Sequence, residues 1–506
     1  MRLSIAQFIA ITFGIIAVSQ GLRAGEGEEP EPDGGDPWVP PGPIDPDDFP
    51  YYNLRPYLQS LTATSVLIAS QSKDILVARL RYGLTEELAS QIEEAEPGQN
   101  HLFRLEGLSP GTRYFYRVNH VGVNQFPLGS FQTLPADGGE VTVGVIGDSG
   151  TKSDAQLQLR DLLLAKAPQL LLHTGDTVYP YGAPSYYYDK FFFIYKELLA
   201  GTCIYPSLGN HDCIVGPASP AYWIYAFHLP ANNPAGDESY YSFDAGSAHF
   251  VALNSCVGKV SSEQAAWLDQ DLEATQKTWK IIYFHHAVYT NSYHPPAVEI
   301  RDVVVPIAES RGVDLVLNGH NHVYERSYPI RAGVSRDAFQ EPDYVAPQGI
   351  IYIVTGGGGA SLYGYRESSE VHLNSVFHAK HHYVSLRITP EELAIEAIGV
   401  DGIAIDHCTI RKGSPSPELR FIRGDVNEDG QLNLTDPVAV LAYLFTGGPP
   451  QCIAASDVDA SGVIQVTDAI QQLNFLFLGG PAPAAPFPEC GSLPGAEDAG
   501  CRRSCP

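Results

Sequence analysis

Apolar runs of strand length recur through the middle of the chain, and each ends at a glycine or a polar residue. Residues 141–146, 170–172, 281–283 and 315–317 are almost unbroken in Val, Ile, Leu and aromatic residues, as strands covered on both faces are. Helical stretches alternate with them from about Glu140 to Lys412, which predicts an α/β domain. Upstream, residues 49–135 read as short β-rich segments at 65–69, 76–82 and 113–118, the last carrying Tyr114, Phe115 and Tyr116,. Beyond Arg420 the pattern repeats: residues 425–449 and 457–481 match at an offset of 32, and each copy holds an apolar helix, at 438–445 and 470–478,.

The amino terminus has a different pattern. Arg2 precedes an apolar run over residues 5–18, with Ala17 and Ser19 suited to cleavage, so residues 1–24 are expected to be an export signal,. The run is shorter than the roughly 18 residues a membrane span needs, and no other stretch is apolar enough, so the mature chain is expected to be secreted and to lack a span. Residues 25–48 are acidic and rich in Gly and Pro, as a disordered linker is,. A chain of 506 residues exceeds one ordinary core,. The expected division is therefore 49–135, 140–412, 420–490 and a Cys-containing tail at 491–506.

Charge narrows the partners. Against 31 basic residues stand 58 acidic ones, a formal charge of -27. That excludes a broad nucleic-acid or anionic-membrane surface, both of which need clustered positive charge. Eight cysteines in an exported chain are expected to form disulfides, of connectivity that spacing leaves open,.

Five short motifs carry the candidate chemistry: Gly147-Asp148, Gly175-Asp176-Thr177-Val178-Tyr179, Gly209-Asn210-His211-Asp212, Phe284-His285-His286 and Gly319-His320-Asn321-His322. Each falls where an apolar run gives way to a loop, and loops at the carboxyl edge of such a sheet converge on one crevice. Carboxylate, phenolate, amide and imidazole donors suit hard or borderline metals, and seven of them are too many for one ion. Taken singly, Gly-Asp marks a turn and a lone histidine belongs to the core; the ordered set is far more specific.

This set and order resembles the metallophosphoesterase superfamily, and the tyrosine of Gly-Asp-x-x-Tyr resembles its purple acid phosphatase branch. The resemblance implies an αββα sandwich in which Asp148, Tyr179 and His322 bind a first metal, iron(III). Asn210, His285 and His320 would bind a second, iron(II), zinc or manganese, with Asp176 bridging. It implies hydrolysis of phosphate monoesters by a metal-bound hydroxide, with His211 and His294 contacting phosphate or acting as the acid; for His211 a structural hydrogen bond is the alternative. A phosphodiesterase or nucleotidase of the same fold is the runner-up, and a surface scaffold with a silent phosphatase domain the reading from another class. The turn Leu108-Ser109-Pro110-Gly111-Thr112 before Tyr114 resembles a fibronectin type III sandwich, a module found ahead of plant-type catalytic domains. His286 would touch substrate, support a ligand or lie at the surface. The histidines His378, His381 and His382 read as a solvated loop, and residues 356–359, all glycine, as a tight turn near the site rather than a P-loop, since no Lys-Ser or Lys-Thr follows.

The repeat carries a second chemistry. Asp425, Asn427, Asp429, Gln431 (through its carbonyl), Asn433 and Asp436 fall at positions 1, 3, 5, 7, 9 and 12 of a loop with glycine at 6, the EF-hand spacing for calcium,. The second copy offers Asp457, Asp459, Ser461, Val463 (carbonyl), Gln465 and Asp468, with a weaker ligand at position 5. Asp at position 12 followed by an apolar helix resembles a dockerin, a small α-helical calcium-binding domain, and the repeated Leu-Phe-x-Gly-Gly-Pro ending is similar to tails on exported proteins of planctomycete bacteria. A dockerin implies a cohesin-like or cell-surface protein partner; a calcium-stiffened cap without a partner is the alternative.

Overall fold

The computed structural model describes residues 52–213, 221–366, 373–413, 420–446, 452–491 and 501. The export signal, the linker and nearly all of the tail at 491–506 lie outside the described residues.

The amino-terminal strands form two antiparallel sheets. Tyr57–Gln59, Val66–Leu76 and Gly98–Leu105 make one, and Ser90–Glu93, Ala78–Gly83, Arg113–His120, Asn124–Gln125 and Gly129–Gln132 the other. Along Arg113–His120 the buried residues are Tyr114, Tyr116, Val118 and His120, the period of two that a half-covered strand imposes. The Tyr114 hydroxyl accepts from the Ser109 N–H at 3.0 Å, which fastens the turn to the strand that follows it. These sheets share one apolar core with the α/β region. The Leu58 N–H donates to the Leu199 carbonyl at 3.0 Å, and the Tyr205 hydroxyl to the Leu61 carbonyl at 2.9 Å.

The α/β region is built on two seven-stranded sheets. In the first, Cys203–Pro206, Leu170–His173 and Val141–Ile146 run parallel, and His382–Ile388 joins the last of them antiparallel. In the second, Ala248–Ala252, Trp279–Phe284, Leu315–Asn318 and Ile351–Thr355 run parallel. Side chains on one strand divide by parity. Ile281, Tyr283, Leu315 and Leu317 enter the core shared with the first sheet. Ile282, Phe284 and Val316 enter a second core with Trp267, Leu268 and Leu272 of the helix Ser262–Ala274 and Ile300 and Val304 of Val298–Ser310. On the outer side of the first sheet, Leu159 and Leu163 of Asp154–Lys166 are fully buried. Two sheets between helices are thus the consequence of strands apolar on both faces.

At the carboxyl end, the helices Thr435–Thr446 and Val466–Leu478 pack on a small core of Val426, Val440, Ile464 and Ala469. Both are longer than the apolar stretches that announced them. Among the described residues no helix is long and apolar enough to cross a membrane.

The cysteines depart from general pairing. Cys213 bonds Cys256 and Cys452 bonds Cys501, whereas Cys203 and Cys408 are free. Both free thiols lie buried on strands, where they fill core volume as small hydrophobes.

Candidate metal centre

All five motifs stand at the carboxyl ends of strands. Asp148 follows Val141–Ile146, Asp176 and Tyr179 follow Leu170–His173, Asn210 follows Cys203–Pro206, His285 follows Trp279–Phe284, and His320 and His322 follow Leu315–Asn318. The chain must turn sharply there, and Asp148, Asp176 and His320 adopt left-handed backbone, with φ of 55°, 54° and 68°. Non-glycine residues take that conformation at a cost, which Asp and His bear better than most, and the surrounding structure must hold them there. The preceding glycine at 319 has a steric reason: a Cβ there would lie 2.5 Å from Asp148 Oδ2.

The side chains converge in two groups. In one, the Tyr179 hydroxyl lies 3.2 Å from Asp148 Oδ1 and 3.1 Å from His322 Nε2, and His322 Nε2 lies 3.4 Å from Asp148 Oδ1. In the other, His285 Nε2 lies 2.8 Å from Asn210 Oδ1 and 3.2 Å from His320 Nδ1. Asp176 belongs to both, since its Oδ2 is 3.1 Å from the Tyr179 hydroxyl and 3.3 Å from His285 Nε2. Asp148, Asp176 and His285 together form a buried cluster whose ligand atoms could share one ion.

Electrostatics favour cations here. Asp148 and Asp176 are essentially inaccessible, and among the described residues their ion-pair partners are histidines. Burial opposes charge on His285, yet the carboxylates of Asp176 and Asp148 outweigh it and push the imidazole up to about 9. His322 is raised in the same way, burial being overcome by Asp148. Burial works to raise Asp176, but His285 and His211 hold it well below the usual carboxylate range. Two buried carboxylates that draw protons onto neighbouring imidazoles would draw metal ions more strongly, and the oxygen and nitrogen donors fit hard or borderline ions.

Backbone carbonyls orient the histidines. His285 Nδ1 is 3.0 Å from the Thr174 carbonyl and His322 Nδ1 is 2.7 Å from the Ser361 carbonyl. With Nδ1–H donating to a carbonyl, Nε2 of each faces the other donors and would offer its lone pair to a metal ion once a proton is displaced, the usual support for a metal-binding imidazole,.

His211 and His294 flank the groups. The His211 ring lies 4.4 Å from that of Tyr179, its Nδ1 is 2.6 Å from the Pro180 carbonyl, and its Nε2 is 3.9 Å from Asp176 Oδ2. His294 stacks on His320, with ring centroids 4.1 Å apart. His286 turns to Ser255, Nδ1 lying 3.0 Å from its hydroxyl, and its ring lies 4.5 Å from that of His320.

Several supports escaped the sequence reading. Asp212 is buried and accepts from the N–H groups of Thr177 and Gly209, at 3.2 and 3.0 Å to Oδ2, and from the hydroxyls of Thr177 and, at 2.8 Å, Tyr187. It stood in the third motif without a role, and its position after Asn210 and His211 was the available signal. Tyr363 stacks on His322 with centroids 4.1 Å apart and planes at 12°; no sequence motif surrounds it. The glycines 356–359 do form a turn against the Asp148 loop, where the Gly358 N–H donates to Gly147 and the Ala360 N–H to Asp148, both at 3.0 Å. The histidine cluster is not the solvated loop expected of it. His382 is fully buried on its strand, with Nε2 3.1 Å from the Thr355 hydroxyl, because that strand lies inside the first sheet.

The carboxyl-terminal loops are folded alike. Asp425 accepts from the N–H groups of Asp429 and Gly430 at 3.0 and 2.9 Å, and Asp457 from Ser461 and Gly462 at 2.9 and 3.2 Å. Asp436 accepts from Val426 and Asn433, and Asp468 from Val458 and Gln465, all between 2.7 and 2.8 Å. Asp457, Asp459 and Asp468 place ligand atoms within 4.8 Å of one another. Asn427 and Asn433 both reach Asp429 Oδ2, at 3.0 and 3.1 Å. The carbonyls of Gln431 and Val463 accept from Asn433 and Ser461, at 3.5 and 3.2 Å.

Residues 141–324 match the family model of calcineurin-like phosphoesterases. Among curated proteins, the chain is 27% identical over 297 residues to purple acid phosphatase 15 of Arabidopsis thaliana, covering 51% of this chain and 53% of that protein. It is 28% identical over 297 residues to purple acid phosphatase 23 of the same plant, covering 51% and 62%. Among solved structures, a purple acid phosphatase from yellow lupin (Lupinus luteus) seeds superposes with a TM-score of 0.62 at 20% identity, over 72% of this chain and 75% of that one. The region therefore has the metallophosphoesterase fold, and purple acid phosphatases are among the proteins it resembles. The chain spans between half and two thirds of the length of the two curated relatives.

Proposed function

We propose that the protein is a two-metal phosphoric ester hydrolase of the purple acid phosphatase type that acts on phosphate monoesters. The observation that carries this reading is the meeting of two donor groups at Asp176, whose Oδ2 lies 3.1 Å from the Tyr179 hydroxyl and 3.3 Å from His285 Nε2. Asp148, Tyr179 and His322 would hold iron(III), Asn210, His285 and His320 would hold iron(II), zinc or manganese, and Asp176 would bridge them. Bound there, the ions would supply Lewis-acid charge to the phosphoryl oxygens and acidify a water molecule.

The chain's own residues do the remaining work. The buried carboxylates of Asp148 and Asp176 would hold the ions in place and offset part of their charge. His211, with Nδ1–H donating to the Pro180 carbonyl, presents Nε2 toward the Asp176 side of the site. His294, stacked on His320, would give its proton to the leaving alkoxide,. The local positive charge would gather phosphate despite the acidic surface.

The flanking modules take the finer readings. The fastened Tyr114 turn supports a fibronectin III-like sandwich at the amino end,. The paired loops support calcium binding and a dockerin-like role toward a cohesin-like or cell-surface protein. Export follows from the signal pattern at residues 1–24.

The test compares the visible spectrum, metal content and hydrolysis of a generic phosphomonoester for the wild type and Tyr179→Phe. A purple tyrosinate band lost in the variant, about two metals per chain and turnover in the wild type support the assignment. Metal-replete protein without turnover would sink it.

A further inference from the structure

Tyr293 is an exposed aromatic on a loop that is held rigidly. Its residue is 64% accessible, although neighbouring polar groups fix the backbone on both sides. The His294 N–H donates to Asn321 Oδ1 at 2.8 Å, and Asn321 Nδ2 donates back to the His294 carbonyl at 3.1 Å. The Tyr293 carbonyl accepts from Arg366 Nη1 at 3.2 Å. Two residues earlier, the Asn291 N–H donates to the buried Glu325 at 2.8 Å. Asn321 itself lies between His320 and His322, so the segment that carries Tyr293 is bolted to the segment that carries two candidate ligands.

The ring has defined neighbours. It lies 5.0 Å from Tyr363 at 36°, and Tyr363 stacks on His322. It lies 4.9 Å from His294 at 83°, and His294 stacks on His320. Aromatic rings therefore run outward from both donor groups and end at Tyr293. A single exposed apolar side chain is ordinary, but this one stands on a backbone held from both sides and ends an aromatic path from both donor groups, so its open face is available to a ring that arrives from solvent,.

We propose that Tyr293 is a specificity-determining residue, which stacks against the leaving group and selects phosphate esters of aromatic alcohols. The inference rests on the phosphoester-hydrolase reading of the site. Because His294 stacks on His320, a phosphoryl group bound in the site beside His320 would have its ester oxygen near His294, the proposed proton donor to the leaving group. A ring attached directly to that oxygen then falls within reach of the Tyr293 face, whereas a short alkyl group does not.

The experiment titrates the metal-loaded full chain with phenylphosphonate and methylphosphonate by calorimetry, and measures kcat/KM for phenyl phosphate and ethyl phosphate. In the wild type the phenyl compound binds more tightly. In Tyr293→Ala the phenylphosphonate affinity falls about tenfold more than that of methylphosphonate, as loss of one stacking contact implies. Tyr293→Phe keeps the wild-type ratio, because the ring and not the hydroxyl provides the contact. Equal losses for both phosphonates in Tyr293→Ala, or no loss for either, would overturn the proposal. If wild-type protein binds both phosphonates but hydrolyses neither ester, the hydrolase reading fails while the stacking result still stands or falls on the ratio. Binding of neither phosphonate would overturn both.

Discussion

Tyr179 and Asp176 are three positions apart in sequence, and the hydroxyl of the first lies 3.1 Å from Oδ2 of the second. The turn that brings them together also sends the same carboxylate oxygen to within 3.3 Å of His285 Nε2. One side chain therefore belongs to both donor groups. Asp176→Asn is expected to reduce bound metal from about two ions to one or fewer and to lower turnover by at least about 100-fold, since even indirect supports of a metal site are worth 10–100-fold. Metal analysis beside steady-state kinetics checks it.

Asp212 receives hydrogen bonds from both the Thr177 and the Gly209 loops. Asp212→Ala leaves those buried N–H groups unpaired. A loss of about 2–4 kcal/mol in unfolding free energy is expected, together with weaker metal retention. Denaturant unfolding of the metal-free protein separates the two effects.

His249 is buried between Asp244 and Asp271, with contacts of 2.7 and 2.8 Å. Burial opposes its charge, but the two carboxylates outweigh it and push it up to about 9 from an ordinary 6.5. A raised pKa means that its stabilisation is fully present below about pH 6.5 and is lost as pH rises through about 9. Against His249→Phe, the wild type should hold an advantage of about 2–3 kcal/mol at pH 6 that has largely disappeared at pH 10. A constant difference across that range would refute the assignment.

Two calcium ions are expected in the carboxyl-terminal loops, the first bound more tightly because Asp429 stands where Ser461 stands in the second,. Calorimetric titration should show two events in the wild type and one in Asp468→Ala. At calcium 100 times the dissociation constant, each site stabilises its module by about 2.7 kcal/mol.

The bond between Cys213 and Cys256 spans a sequence separation of 43 and anchors the segment after His211. Cys256→Ala should cost up to about 4 kcal/mol in the chain-entropy account and raise KM for phosphate esters. Thermal unfolding and kinetics at fixed metal load measure both.

Sequence alone determined the strand-end placement of the donors, because continuous apolar runs interrupted by Gly-Asp or Gly-His announce buried strands and their exits. It also determined the paired loops at 425–436 and 457–468, where all the expected calcium donors lie within a dozen residues and spacing is geometry. It could not yield what depends on long-range approach. Tyr363 meets His322 across a loop, and Asp212 fastens Thr177 from another strand end. Neither partner leaves a local pattern. The cysteine pairing joins Cys213, beyond a strand of the first sheet, to Cys256, beyond a strand of the second, and strand order within the first sheet puts His382 in an interior strand. Local spacing fixes short loops, whereas the packing of two sheets fixes which distant side chains share one crevice.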